Sequence, residues 1–549
     1  MKKKSFLYII SIIFALFYFY FNRFIIQQFH FDEDAYILFR YVDMLNKGYG
    51  ITYYPNAMPI EGATDFLWLI FIAGISKLGI DIGTSAIILN SFGVFGITYI
   101  LSKLISKHLR DNYLLLPICF LWILFFPLIA ALGGFSVLFY CFSIVLLLYL
   151  IDEKGKFHLV PYFALVLGLI RPDGVILGGL LVISLFFLAE KAQYKRIINS
   201  SLICFTIGIT YFIWRYQYFG NLLPLPLYVK SSENIFNNIS FNLSQSLEYK
   251  QFYLYFVLFL VCIIIANKEL QKKFLILSIP FLVHYLSFLI SKQSQNIGFR
   301  FQAPTIIFFI YGSTSILSKT KFRLLSVKKA AQLFAICLVG FSAFKTINYI
   351  YCYFKPSKSL TPLFAYQLSK KVLKGNEVIA LTEAGRLAFY QQKENPIIDL
   401  VGLNTEYTAK HELTQKYMIS NNPDILFFWG QNNFNKNHNF KRKLAIKFID
   451  KNEFIPLFNF KDITDINNDN TKTKITMSIK QSLIYLYNNW DEYDVYFINL
   501  DQNNRFDYIY AFKKKFNKNN NSIDKLFQEM HQEKPLSYYE LEKLKNEKK

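Results

Sequence analysis

The sequence predicts a polytopic α-helical membrane protein of about 11 spans that ends in a soluble α/β or α+β domain. Three observations carry that prediction. The apolar residues come in blocks of about 17 to 22, the length that crosses a bilayer as a helix. Lys and Arg collect in alternate loops between those blocks. After Tyr353 the long blocks stop, and short apolar runs alternate with stretches rich in Lys, Asn and Asp.

The first block, near 5–26, follows MKKK and lacks a small-residue cleavage site. Its apolar core exceeds the roughly 7 to 15 residues of a signal peptide, so it reads as a retained span. Further spans are placed near 84–105, 113–132, 134–151, 158–171, 173–190, 197–214, 252–266, 274–290, 301–318 and 330–350. Residues 64–80 are apolar but short, and read as re-entrant or interfacial. With the N-terminus inside and 64–80 not crossing, nineteen basic residues between Lys2 and Lys329 fall in cytoplasmic loops. That is the positive-inside pattern, and counting 64–80 as a span would invert it. The same topology puts every motif-like stretch, and all residues after about 352, on the outer face.

The predicted domains are a transmembrane catalytic domain over 1–352 with a first outer loop at 27–83, an outer domain over 353–514, and a polar tail over 515–549. Within the outer domain, VIAL (378–381), PIIDL (396–400), DILFFW (424–429) and DYIYAF (507–512) read as short buried strands. Residues 405–420 and 438–451 read as helical, and a terminal helix is expected from near Ser537.

Several chemistries find no support. The net charge of +22 follows from cytoplasmic loops, so it does not call for nucleic acid. The six cysteines show no C-x-x-C spacing and lie in or beside apolar blocks, which argues against a disulfide framework or a zinc site. There is no H-E-x-x-H, P-loop or G-x-G-x-x-G.

The densest polar stretch is FDEDAYILFRYVDMLNKGYGITYYPNAMPIEGAT, residues 31–64. It groups Asp32, Glu33 and Asp34, then adds Arg40 and a lone acid, Glu61. A bland reading exists: Asp32 as an N-cap, acids in a first helical turn, and an apolar stripe of Leu38, Tyr41, Val42 and Leu45 on an interfacial surface helix. Other charges sit beside spans, where they are costly and invite a functional reading. Arg171 and Asp173 lie in RPDG, Arg300 in GFRF, and Tyr228 and Lys230 in PLPLYVK. Arg171 with Asp173 could simply pair across a tight turn. Arginine also suits phosphate, because its donor fork can bind two oxygens at once.

These residues carry a resemblance. EDAYILFRY, NKGYG and IEGATDFLW resemble the first outer loop of GT-C glycosyltransferases, in particular the arabinofuranosyltransferase-like, polyprenyl-phosphate-sugar-dependent branch. GLIRPDG, YFGNLLPLPLYVK, FRFQAP, LTEAGRLAFY and IIDLVGLN continue the likeness in order over about residues 30–404. Four positions depart from it: Glu33 and Glu383 stand where the branch usually has Asp, Leu225 where it has Asn, and Ser136 is the fourth. Ser136, in GGFSVLF, stands where relatives often carry Glu.

The resemblance implies a GT-C-like membrane fold and an inverting glycosyltransferase of the bacterial cytoplasmic membrane, its C-terminal domain extracytoplasmic. The donor would be a polyprenyl-phosphate-linked sugar. The acceptor would be a glycan or glycolipid of the envelope, in lipopolysaccharide or cell-wall glycan biosynthesis. Membrane lipid is an expected partner and nucleic acid is not. Asp34 matches the second acid of the family pair and is the expected base, supported by Asp32 or Glu33. In relatives such an acid either acts as base or holds a divalent cation, Mg or Mn, which would fall to Asp34 here. Arg171, Arg300 and Lys230 would handle the donor phosphate. Arg40, Glu61, Asp173 and Tyr228 would complete the substrate site. Two other readings stay open: a transporter or flippase for a lipid-linked saccharide, and an inactive glycan-binding scaffold. A transporter should show ionisable residues at mid-membrane and two matching halves, neither of which is visible.

Overall fold

The computed structural model of the chain describes residues 3–28, 30–108, 134–153, 155–230, 235–248, 250–290, 296, 300–320, 360–391, 393–429, 445–448, 450–452, 474–499, 508–518, 522–533 and 536–546. The spans expected at 113–132 and 330–350 lie outside these. The chain divides into two compact units: one built from 1–25, 64–217 and 233–355, the other from 26–63, 218–232 and 356–549. Residues 26–63 of the first outer loop and the 218–232 segment group with the C-terminal region, to which they are tied by the hydrogen bonds described below.

The first unit is helical among its described residues. Among the described residues four helices are long and apolar enough to cross a membrane: Leu7–Gln27, Ile82–Ser106, Lys191–Phe219 and Lys268–Ile290. Shorter apolar helices run over Val137–Asp152, Val160–Ile170, Asp173–Leu188, Lys250–Ile265 and Ala303–Lys319. The segment expected to be re-entrant forms a helix of 11 residues, Phe66–Ser76. At 1.5 Å per residue it reaches about half of a bilayer core of roughly 30 Å. The helices Val160–Ile170 and Asp173–Leu188 fold back on each other through Arg171 and Pro172. Their approach depends on Gly174, where a Cβ would fall 2.2 Å from the Leu167 carbonyl oxygen. The opposite end of this unit is pinned by Asp152, whose Oδ1 meets Lys273 and Lys319 Nζ at 3.2 and 2.8 Å.

The second unit holds a six-stranded mixed sheet in the order β2-β1-β3-β6-β5-β4. The strands are β1 Ile379–Leu381, β2 Ile397–Asp399, β3 Ile425–Trp429, β4 Ala445–Phe448, β5 Tyr493–Asn499 and β6 Tyr508–Lys513. β1 is parallel to β2 and β3, and the remaining pairs are antiparallel. The helix Lys474–Asn488 lays Leu483 and Leu486 onto Ala380, Leu426, Phe428 and Ile509 to form the core. Two strands were not read from the sequence. β4 falls inside 438–451, which had read as helical, and β5 inside a stretch with too many charges to stand out. Each gains its identity by pairing across the sheet, Ile446 opposite Ile498 and Tyr496 opposite Tyr510. The 405–420 region is two short helices, Glu406–Lys410 and Gln415–Asn421, and the terminal helix is Tyr538–Asn546.

The helix Glu33–Asn46 is not the surface helix of the bland reading. Ala35, Tyr36, Ile37 and every residue from Phe39 to Met44 are buried. Its aromatic side packs on the short helix Arg386–Tyr390, with Tyr36 and Phe389 ring centroids 5.3 Å apart. The terminal helix closes over it: Tyr538 sits edge-on to Phe31 at 5.0 Å. Just before that helix, the Leu536 carbonyl accepts from His30 Nε2 at 2.8 Å. That bond assigns the ring proton to Nε2, so Nδ1 accepts from Tyr36 Oη at 3.0 Å. Burial, with the Arg386 charge adding, lowers the His30 pKa to about 3.

Candidate active site

In the second unit, Asp32, Glu33 and Asp34 open the helix Glu33–Asn46. Asp32 takes the N-cap position in an extended conformation, but its side chain makes no capping hydrogen bond. Glu33 and Asp34 stand in the first turn, where negative charge suits the helix dipole. Glu33 is engaged by the turn before Arg386–Tyr390. Its Oε1 accepts the backbone N–H groups of Gly385 and Arg386 at 2.8 and 2.7 Å. Its Oε2 lies 3.5 Å from Arg386 Nε, and Arg386 Nη2 donates to the Phe31 carbonyl at 2.9 Å. Gly385 permits this approach, since a Cβ there would fall 2.0 Å from the Glu33 carbonyl oxygen.

Glu383, two residues before Gly385, completes the cluster. Burial raises its pKa, the charges of Glu33 and Asp34 raise it further, and it is pushed up to about 8. Burial and the neighbouring acids thus favour its protonated form. Glu33 is also shifted upward, by burial first, while Arg386 and the two N–H donors oppose the shift. Nearby Asp399, fully buried at the end of β2, is a scaffold residue. Its carboxylate accepts from the N–H groups of Val401, Gly402 and Asn404 and from Asn404 Nδ2, at 2.9 to 3.2 Å. Asn404 Oδ1 in turn receives Tyr41 Oη at 3.0 Å.

Arg40 and Glu61 are buried among the loops that follow this helix. Arg40 is 1% exposed, donates Nε to the Tyr53 carbonyl at 2.9 Å and Nη1 to the Gln391 carbonyl at 3.2 Å. It braces the 47–63 loop. Glu61 is buried, and its carbonyl accepts from Leu225 N–H at 3.2 Å, fastening the helix Leu225–Lys230 to that loop. Tyr228, half-buried on that helix, has the Lys410 ammonium 5.8 Å from its ring centroid. The Lys230 side chain lies outside the described residues.

The first unit gathers a second constellation. Arg171 Nε donates to Asp173 Oδ1 at 2.9 Å, so the ion pair of the bland reading is present. The other oxygen, Oδ2, is 2.9 Å from His284 Nε2. The Arg171 guanidinium lies 5.8 Å from the Phe301 ring centroid and that of Arg300 lies 5.2 Å from the same ring. Arg300 also stacks on Phe135 at 4.1 Å. Both arginines are under a tenth exposed. Two cations thus converge on one aromatic side chain, an arrangement that favours an anion. Asp65, at the start of the helix Phe66–Ser76, accepts Ser136 Oγ at 2.6 Å. Ser136 is thus paired with an acid from elsewhere in the chain.

Sequence reasoning missed Glu383 as a site residue, together with Arg386, Asp65 and His284. Each had a faint signal, a polar group at the edge of or within an apolar run, but its partner lies tens to hundreds of residues away. The metal expectation fares differently. Among the described residues no group of three or more His, Cys, Asp or Glu side chains is disposed to hold a metal ion. Glu33 is committed to Gly385 and Arg386. No such group surrounds Asp34 among the described residues, and no step below uses a metal.

Residues 364–510 match a family model described as a domain of unknown function (DUF8728). No curated protein matches the chain. Among solved structures, the fold is similar to that of ArnT from Cupriavidus metallidurans bound to undecaprenyl phosphate. The TM-score is 0.52 at 10% identity, covering 77% of this chain and 93% of that one. The likeness is one of fold: this chain, with four helices among the described residues long and apolar enough to cross a membrane, shares that architecture over most of its length.

Proposed function

We propose that the chain is an inverting glycosyltransferase that moves a sugar from a polyprenyl-phosphate donor to an envelope glycan or glycolipid on the outer face of the cytoplasmic membrane. The observation that carries this reading is the fold shared with ArnT, a protein captured with undecaprenyl phosphate. The ordered motifs from EDAYILFRY to IIDLVGLN and the paired arginines on Phe301 support it.

The chemistry needs two services. A carboxylate must take the proton of the acceptor hydroxyl as its oxygen attacks the anomeric carbon, and cations must stabilise the phosphate that leaves with the C–O electron pair. Asp34 is assigned the first role. Glu33 orients the turn that carries Glu383, and Glu383, favoured in its protonated form, spares Asp34 a further negative neighbour. Arg171 and Arg300 are assigned the second role, and Asp173 positions Arg171. Arg40 and Glu61 act as braces rather than substrate contacts. Lys230 and Tyr228 remain assigned to substrate on the motif alone.

The test is transfer by the purified chain in lipid, offered a panel of polyprenyl-phosphate sugars. Transfer by wild type that is lost in Asp34→Asn at normal abundance supports the reading. Movement of the lipid-linked sugar across the bilayer without transfer would make the chain a flippase, and binding without either would make it a scaffold. For the orientation, a reporter active only outside the cytoplasm should be on when fused after residue 360 and off when fused near Lys268. The reverse pattern rejects the topology.

A further inference from the structure

His284 lies in the helix Lys268–Ile290, in the run SIPFLVHYLSFLI, and is fully buried. Every neighbour along the helix is apolar or hydroxylated. A buried imidazole there is costly, and part of the cost is visible: Nδ1 is buried with no hydrogen-bond partner among the described residues. An aromatic hydrocarbon would pack at least as well in this place, since the ring already stands edge-on to Phe288 at 4.9 Å. What the histidine adds is one N–H, donated to Asp173 Oδ2 at 2.9 Å.

That donation decides how Asp173 meets Arg171. A carboxylate facing a guanidinium prefers two parallel bonds, one through each oxygen. Here Oδ1 is on Arg171 Nε at 2.9 Å, while Oδ2 is turned to His284. Among the described residues, the hydrogen bonding of Arg171 runs through Nε alone. The second acid that acts on Arg171, Asp65, is restrained similarly, with its Oδ2 taken by Ser136 Oγ at 2.6 Å. The guanidinium lies 5.3 and 5.8 Å from the ring centroids of Tyr140 and Phe301.

We propose that His284 is a positioning residue for anion binding: by holding Oδ2 of Asp173 it keeps that carboxylate on Nε of Arg171 and leaves the two terminal nitrogens for a lipid-linked phosphate. The inference rests on the donor-phosphate role given to Arg171 above. Without His284, Asp173 swings onto Arg171 through both oxygens and competes with the phosphate.

The experiment measures binding of undecaprenyl phosphate to the full chain in nanodiscs. His284→Phe fills the space without an N–H, and His284→Gln restores a donor. Arg171→Ala should weaken binding by at least about tenfold, the equivalent of one charge-assisted bond. His284→Phe should weaken it by about three- to tenfold, and His284→Gln should recover most of that. In the Arg171→Ala background, His284→Phe should change nothing further. If Arg171→Ala weakens binding and His284→Phe does not, the positioning role is overturned and the phosphate reading survives. An equal loss from His284→Phe with and without Arg171, or from Gln and Phe alike, would mean general damage and also overturns it. Wild-type affinity in Arg171→Ala rejects the phosphate reading itself.

Discussion

The proposed function gives the adjacent acids Glu33 and Asp34 different work, and replacing each in turn should separate stability from rate. Glu33→Ala removes the acceptor of two backbone N–H bonds at 2.8 and 2.7 Å and an ion pair at 3.5 Å. Hydrogen bonds to a charged group contribute about 1.5 to 3 kcal/mol each. The Glu33 side chain is 26% exposed, so water restores part of the loss and the lower end applies, about 3 kcal/mol for the two. The ion pair with a partly exposed Arg386 adds about 0 to 1 kcal/mol. For a unit of this size, roughly 3 kcal/mol lowers the melting temperature by about 6 to 12 °C. Glu33→Gln keeps one acceptor oxygen and should lose about half as much. Asp34→Asn should cost no more than about 1 kcal/mol, from the helix dipole, yet reduce turnover by about 10² to 10⁴. The assays are thermal unfolding by intrinsic fluorescence and sugar transfer, run on the same preparations. An unchanged melting temperature for Glu33→Ala would refute the bracing role. A rate loss in Glu33→Gln as large as in Asp34→Asn, without loss of stability, would move the base to Glu33.

Two further outcomes follow from the geometry and one from charge. Glu383 has a folded pKa near 8, above its ordinary value of 4.5, so the native state binds the extra proton between those pH values. Stability contributed by the protonated form is present below the ordinary value and is lost as pH rises toward 8, and Glu383→Gln should flatten that decline in melting temperature. A parallel decline in both proteins would show that Glu383 does not titrate there. Gly174→Ala places a Cβ 2.2 Å from the Leu167 carbonyl, against backbone that cannot yield. The two helices should part at Arg171, and folded protein recovered in membranes should drop sharply; normal recovery with normal donor binding contradicts the close approach. Deleting residues after 532 removes the Leu536 carbonyl and Tyr538 from His30 and Phe31. Protease sensitivity of the 30–46 segment should rise, and an unchanged digestion pattern would count against the clamp.

The sequence by itself determined the class of the molecule. Bilayer-length apolar blocks and the basic clusters between them are local properties of the chain, set by the solvent each segment meets. The same holds for β1, β2, β3 and β6, whose apolar runs are flanked by breakers, and for the terminal helix after Ser537 with its Glu540 capping box. Tertiary structure decided what no local pattern encodes. β4 and β5 are strands because they pair with each other and with β6, and their own composition is ambiguous. Local sequence does not say which of Glu33 and Asp34 is braced, and only the turn at Gly385, 352 residues on, engages Glu33. Glu383 is favoured in its protonated form because burial and two acids from a distant helix surround it. His284 reads as an isolated polar residue in an apolar helix until Asp173, 111 residues earlier, supplies its partner. Electrostatic energy depends on distance in space and on the water excluded between charges, and a linear sequence records neither.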